Sequence, residues 1–453
     1  MSNTGVIASF AQTVVRDGLP AEVLAAAQFC ITDWLAVAIG ASAHEPVRAL
    51  RSVVDGWGSS GHAPVLMGDN TAPAPAALVN GTMAHCLDFD DTHVGTIAHI
   101  SGPTFAAALA VGAHRGMSAE EVVRAFTTGF EAAARLGGDG LGIAINQRHI
   151  HSTGIVGCFG AAVAAATLHG ADAAQFGNTL GLAATQAAGL THSFGTPAKP
   201  FHAGKAAFNG VLAAEMAMAG FQGAPDLLEP GGGLAKALVQ DAAVTSAVLR
   251  FDDGWEITRN TFKPYASCLL THPVIDAARD LRPRLGNRSA EAITVFVEPM
   301  AVQLAGKSAP RTPYEGKFSL AFCTALALSG HKASWDDFTP ANLDDPTIMD
   351  LVRRVHLVCV PEMQRTAARL EIVASDGERL VAEIPLALGN PGRPMSWADL
   401  EEKFVSLVEP FAGKRTGALF TVARTFGAGG TMPALLTLLA EIRATGGSAR
   451  QAA

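Results

Sequence analysis

Through the first 264 residues, apolar side chains recur at three- and four-residue spacing, which predicts a succession of helices. Residues 20–40 start on a proline, carry an apolar stripe and end on a glycine, as one helix should. Ser118-Ala119-Glu120-Glu121 reads as a capping box, its serine and glutamate satisfying the free backbone N–H groups of a first turn. The helix it opens should run to about Leu136. Further helices are expected at 103–114, 157–169, 171–190, 206–220 and 234–249, with Gly, Pro, His and Thr collected at their joints.

After about Tyr265 the period changes. Residues 292–297 and 355–360 are rich in β-branched and apolar types, and 369–385 reads as a hairpin with Asp376-Gly377 as a two-residue turn. Helices are expected within this region at 318–329 and 346–352. The turn-rich Gly389-Asn390-Pro391-Gly392-Arg393-Pro394 closes it, and 396–445 returns to the helical period. The expected fold class is mainly α: a large all-helical domain formed by 1–264 and 396–453, with a smaller α+β lid domain, 265–395, inserted.

Composition narrows the function. Hydrophobic residues make up 49% of the chain, with a mean hydropathy of +0.25. Much of this is alanine, and no uninterrupted apolar run reaches the roughly 18 residues of a membrane span; 154–168 is the nearest. No membrane association is expected. Residues 1–18 lack the pattern of a signal peptide. The six cysteines stand at least 36 positions apart, which fits no disulfide framework, zinc knuckle or iron–sulfur ligand set. Reduced thiols and a cytoplasmic location are the expectation. A net charge of −8 without a basic stripe argues against nucleic acid.

Only 16% of residues are charged, yet His85 to His93, together with His99, places three carboxylates and three imidazoles within fifteen residues. Crowded acids and bases shift one another's pKa values towards working pH, so this cluster points to an enzyme. Asp88, Asp90 and Asp91 each have an alternative role as cap or turn residue. His85, Asp88, His93 and His99 could instead hold a metal. Their spacing matches no His-Glu-x-x-His pattern, however, and no phosphate loop accompanies them, so no metal is expected.

Three further motifs carry polar residues: His149-Ile150-His151-Ser152-Thr153-Gly154 at a helix entrance, the run from Gly195 to Lys205, and Lys263-Pro264-Tyr265-Ala266-Ser267-Cys268 followed by Thr271-His272-Pro273. Nine of the 14 histidines fall between His85 and His202. Arginines number 24 against nine lysines, none of them before Lys199, so Lys199 on its proline-flanked turn stands out. Fixed cations, histidines and a carboxylate suit a substrate with several carboxylates. Removing a proton α to a carboxylate builds an enediolate, which needs a base and preorganised cationic donors. No Gly-x-Ser-x-Gly elbow supports a serine hydrolase. A non-catalytic carboxylate-binding protein and a metal-dependent hydrolase are the other classes.

Taken together, Leu87-Asp88-Phe89-Asp90-Asp91-Thr92-His93, His151-x-Thr153, Lys199-Pro200-x-His202-Ala203-Gly204, Lys263-Pro264-Tyr265 with Thr271-His272-Pro273, and Lys317-Phe318-Ser319 resemble the MmgE/PrpD family over nearly the whole chain. That family includes 2-methylcitrate dehydratase, cis-aconitate decarboxylase and iminodisuccinate epimerase. The resemblance implies a helical domain with an α+β lid, a homodimer, and no cofactor or metal. It further implies Asp88, His99, His151, Lys199 and Lys263 as catalytic groups, with Thr92, Thr153, His202, Lys205, Tyr265 and His272 around the substrate. Dehydration of a 2-methylcitrate-like acid is the first expectation, with decarboxylation or epimerisation as alternatives. Three positions depart from the family pattern. His99-Ile100-Ser101 stands where His-Pro-Ser is common, Phe322 where some members place a tyrosine, and Lys205 where arginine is frequent.

Overall fold

The computed structural model describes residues 2–446. It is 59% helix and 9% strand, so the chain is mainly α with one small sheet. The helix Ser152–His169 lies at the middle of the helical part, packed by Ala198–Met218, Ala119–Gly137 and Ser101–His114. Nearly every side chain on it is buried, which is why its sequence shows no polar face. Small residues let these helices approach closely. A Cβ on Gly204 would collide with the Leu78 carbonyl and the Thr82 hydroxyl, so Ala198–Met218 and Pro73–Cys86 touch backbone to backbone there.

Two helices, Ala21–Gly40 and Ser152–His169, are long and apolar enough to cross a membrane despite the interrupted runs in their sequence. Within the fold, 72% and 89% of their apolar windows are buried, as in the core of a soluble protein.

The expected capping box is present: Ser118 and Glu121 bond reciprocally at the start of Ala119–Gly137. Other expected boundaries move. The helix expected at 171–190 is Ala173–Ala184, because the chain beyond it straightens to pair Leu190 with Ile150. That expected at 234–249 is two short helices, Gly233–Leu238 and Ala242–Thr245, since Asp241 caps a fresh turn. That expected at 206–220 begins at Ala198, so Lys199 lies in a first helical turn and not on a loop. Pro200 is tolerated there because the first N–H groups of a helix have no intrahelical partner.

Strands β1 (Ala290–Val297), β2 (Val355–Cys359), β3 (Ala368–Ala374) and β4 (Arg379–Ile384) form one sheet in the order β2-β1-β3-β4. β1 and β2 run parallel, the other neighbours antiparallel. The β3–β4 connection is longer than the two residues expected: it spans Ser375 to Glu378, with Gly377 at φ +83°. The helix His272–Leu285 packs on β3 and β4. Farther along, Trp397–Ala412 returns to pack on Ala21–Gly40, so the two ends of the chain meet in the helical part.

Candidate active site

The helix Pro73–Cys86 ends just before the acidic segment, and Asp88 follows with φ +51°. Aspartate is among the few side chains that enter this left-handed region readily. The sharp turn exposes three backbone carbonyls and a carboxylate to incoming cations. Lys199 Nζ lies 2.9 Å and Lys263 Nζ 2.6 Å from Asp88 Oδ1, and Lys263 also donates to the Asp88 carbonyl at 3.0 Å. Lys317 donates to the Leu87 carbonyl. Lys403 donates to the Phe89 carbonyl and to Asp33, both at 2.6 Å, and to the Lys263 carbonyl at 3.0 Å. Four of the nine lysines are therefore buried against three consecutive residues.

A cavity opens beside this cluster. Asp88, Thr92, His99, His151, Lys199 and Lys263 line its polar side. Phe194, Phe318, Leu269, Leu270, Met300 and Leu304 form an apolar wall, with Arg365 and Thr366 reaching in from the segment between β2 and β3. The ammonium of Lys199 sits 4.9 Å from the centre of the Phe318 ring and 5.2 Å from that of Phe194, so aromatic faces hold it as well as Asp88.

The histidines are held in fixed orientations. His99 Nδ1 donates to the Asp91 carbonyl at 2.9 Å, with Asp90 Oδ2 at 3.2 Å and Thr92 Oγ1 at 3.4 Å. Its Nε2 is thereby left with a lone pair. His99 N donates to Thr153 Oγ1 at 3.0 Å, which ties the acidic loop to the entrance of the central helix. His151 is the N-cap of that helix, and its Nδ1 shares a hydrogen bond of 3.0 Å with Nδ1 of His202. His85 Nδ1 donates to Asp90 at 2.9 Å, leaving its buried Nε2 without a hydrogen-bond partner.

Burial and the lysines set the protonation states. Burial works to raise the Asp88 carboxyl, but the Lys199 and Lys263 ammoniums hold it well below the usual carboxylate range. Burial would lower Lys263, yet Asp88 keeps it above its ordinary value. Burial, then the charge of Lys199, pushes His151 well below 6.5. His99 is lowered chiefly by burial, and His85 falls to about 3, where burial outweighs Asp90. The cavity therefore presents neutral imidazoles beside fixed ammonium groups and an ionised carboxylate whose Oδ2 has no hydrogen-bond partner. Such a set can hold a polyanion and move protons.

The other expected residues lie around this site in different ways. Thr153 touches the site through the backbone of His99, and His202 through His151. Lys205, Tyr265 and His272 do not line the cavity. Lys205 turns to Asn209 and packs over the Phe208 ring, one helical turn along. Tyr265 donates to Asp276 at 2.5 Å, and His272 faces the Ser267 carbonyl behind the wall. Asp90 orients His85 and His99, Asp91 accepts from Asn260 and Ser101, and His93 bonds Thr96 and Glu256. Phe322 is buried in the core, and neither of the chain's two tyrosines lines the cavity. Arg365, Lys403 and Asp33 were not apparent from sequence. Arg365 occupies an ordinary-looking loop, and Lys403 sits in the charged run Glu401-Glu402-Lys403, which reads as a solvated face.

Ligand atoms of His85, Asp88, Asp90 and His99 come within 4.8 Å of one another, close enough for a metal ion. Asp88 Oδ2 and His85 Nε2 are free to bind one, but the Lys199 and Lys263 ammonium groups on Asp88 already supply the positive charge there. A divalent cation would be repelled by that positive charge.

A carboxylate clamped between buried lysines and faced by oriented imidazoles defines an acid–base site for an anionic substrate. Comparison with known sequences identifies the kind of protein that carries it. The MmgE/PrpD N-terminal domain profile matches residues 5–247 and the C-terminal domain profile matches 265–423. The chain belongs to the MmgE/PrpD family and is an enzyme of that family. Among its relatives, the cis-aconitate decarboxylase of Homo sapiens is 27% identical over 349 residues, covering 73% of this chain and 72% of the relative. That of Aspergillus terreus is 25% identical over 417 residues, 85% of both chains. The cis-aconitate decarboxylase-like protein oryM of Aspergillus oryzae is 26% identical over 422 residues, 86% of this chain and 87% of the relative.

Proposed function

We propose that this protein is a cofactor-independent lyase that removes carbon dioxide from a small unsaturated tricarboxylate of the cis-aconitate type. The observation that carries the reading is the pair of buried lysines on Asp88 in a cavity that also admits Arg365. Lining charges of three cations and one carboxylate leave a net positive pocket, which matches a substrate with three negative groups. The decarboxylase relatives support loss of carbon dioxide over loss of water, reversing the order expected from sequence. Its scattered free cysteines suit a cytoplasmic setting, and residues 265–395 serve as the cover of the site.

In this reading the bond to the leaving carboxylate breaks, and its electron pair spreads through the adjacent double bond towards a remaining carboxylate. Lys199 and Lys263, both buried against Asp88, stabilise that charge. One proton must then be added at carbon. With Phe322 in the core and both tyrosine hydroxyls turned elsewhere, His151 is the group placed to deliver it.

Proton NMR of the purified protein with cis-aconitate, citrate-type hydroxy acids and dicarboxylates tests the assignment. The expected result is a decarboxylated product together with released carbon dioxide. Release of water from a hydroxy acid, with no carbon lost, would make the protein a dehydratase instead. The same cavity supports that second reading, and the missing tyrosine hydroxyl favours it.

Arg365 is half-buried and makes no ion pair among the described residues. Arg365→Ala is expected to raise KM about ten-fold or more with a smaller change in kcat, because a hydrogen bond to a charged group contributes roughly 1.5–3 kcal/mol. An unchanged KM would remove Arg365 from substrate binding.

A further inference from the structure

We infer that His202 is the outer member of a two-histidine proton relay, which connects His151 in the cavity with solvent. This rests on the reading of His151 as the proton donor.

The geometry is specific. His151 is fully enclosed, whereas His202 retains partial exposure on the first turns of Ala198–Met218. Their Nδ1 atoms lie 3.0 Å apart, so one ring donates and the other accepts. With Nδ1 committed to His202, Nε2 is the nitrogen that His151 has left for the cavity. Phe194 packs edge-on against the His151 ring at 4.9 Å between centroids and closes another side of it. Backbone makes room for the pair: a Cβ at Gly189 would press within 3.2 Å of His202 Nδ1 and 3.3 Å of the His151 Cβ. The same Gly189 carbonyl accepts from His151 N at 3.1 Å, which fixes the position of the inner ring.

A buried imidazole held neutral beside Lys199 is a weak acid by itself. Coupling to a second ring removes that difficulty, because no lasting charge need develop on His151. As the Nε2 proton passes to the substrate carbanion and a C–H bond forms, His151 Nδ1 takes the Nδ1 proton of His202. His202 Nε2 then takes a proton from water. One solvent proton has entered and one C–H bond has formed, with both rings neutral. Between turnovers, with the site emptied, water protonates His151 Nε2 while its Nδ1 proton shifts back to His202 Nδ1 and His202 Nε2 returns its proton to solvent, which restores the starting tautomers. His202 acts through His151 and touches no substrate, so its role is to position and supply the proton.

The test uses His202→Gln, which keeps volume and a hydrogen-bonding end but cannot take up one proton and pass on another, and His202→Ala, which opens a space. Both should lower kcat about ten- to a hundred-fold with little change in KM, at or below the lower end of the roughly 10²- to 10⁴-fold range for proton transfer by a side chain, because His202 acts through His151. Added imidazole should restore the rate of the Ala variant in a saturable manner and leave wild type unaffected. A merely structural role would not respond to imidazole. A kcat unchanged in both variants, or a loss that imidazole does not restore, overturns the relay. The proposed function is judged separately, by whether wild type turns over any acid of the panel. Should it turn over none, solvent exchange of the His151 ring proton, followed by nitrogen-15 NMR, decides about the relay. That exchange should be slower in His202→Gln than in wild type, and an equal rate overturns it.

Discussion

Asp88→Asn is expected to destabilise the protein by about 3–5 kcal/mol, the usual cost of removing one partner from a buried ion pair. The substitution keeps the shape of the side chain and removes only its charge. Lys263 is 1% and Lys199 5% exposed, so neither ammonium can turn to water for compensation. Asparagine at position 88 still accepts a hydrogen bond, but two buried cations then face one another without a counter-ion. The pH dependence has a definite sign. Because the Asp88 carboxyl titrates well below its ordinary 3.8 in the fold, its contribution is complete above about pH 4. It is lost as pH falls through the lower, folded-state value. Chemical denaturation across pH 2.5 to 7 should show wild type losing stability in acid more steeply than the variant. Equal stability of the two proteins at pH 7 would show that Asp88 is not the counter-ion that the geometry makes it.

His151→Ala should leave the fold largely intact and lower kcat about 10²- to 10⁴-fold, the range for a side chain that transfers a proton in the transition state. Its effect on KM should be small, because the substrate's charge is held by the lysines and Arg365. Steady-state kinetics on the acid identified by NMR supply the check. A variant that turns over as fast as wild type would remove His151 from the chemistry. His99 could not replace it as donor in that tautomer, because its proton is tied to the Asp91 carbonyl through Nδ1 and its Nε2 carries a lone pair, which suits a base.

How much of this could be read from the sequence depended on the kind of signal. Buried, Ala-rich helices such as Ser152–His169, expected from 157, were visible as apolar runs closed by glycine and not by a polar face. The change of period after Tyr265 located the sheet. Four motifs up to 175 residues apart met at one cavity, and they were legible because they gathered residue types that are rare elsewhere in the chain. What escaped was set by tertiary contact. The first turn of Ala198–Met218 was hidden because Pro200 looks like a helix breaker until one knows that it sits among the free N–H groups. Lys205, Tyr265 and His272 belong to the right motifs but face away, since sequence proximity does not fix the direction of a side chain. Lys403 shows the converse: nothing around it announces burial, yet it holds the backbone on which Lys263 stands.

The four lysines that hold Leu87 to Phe89 bear on how the protein comes into being. They lie at positions 199, 263, 317 and 403, all well downstream of the loop they secure. As the chain leaves the ribosome, the helices on either side of that loop can form while its carbonyls and carboxylate still await their partners. The last of these partners arrives with the helix Trp397–Ala412, 315 residues after Asp88. Contacts of such long sequence separation form late and slowly. The pocket is therefore among the last parts to assemble, and a nascent or truncated chain carries the loop without the grip that makes it a site.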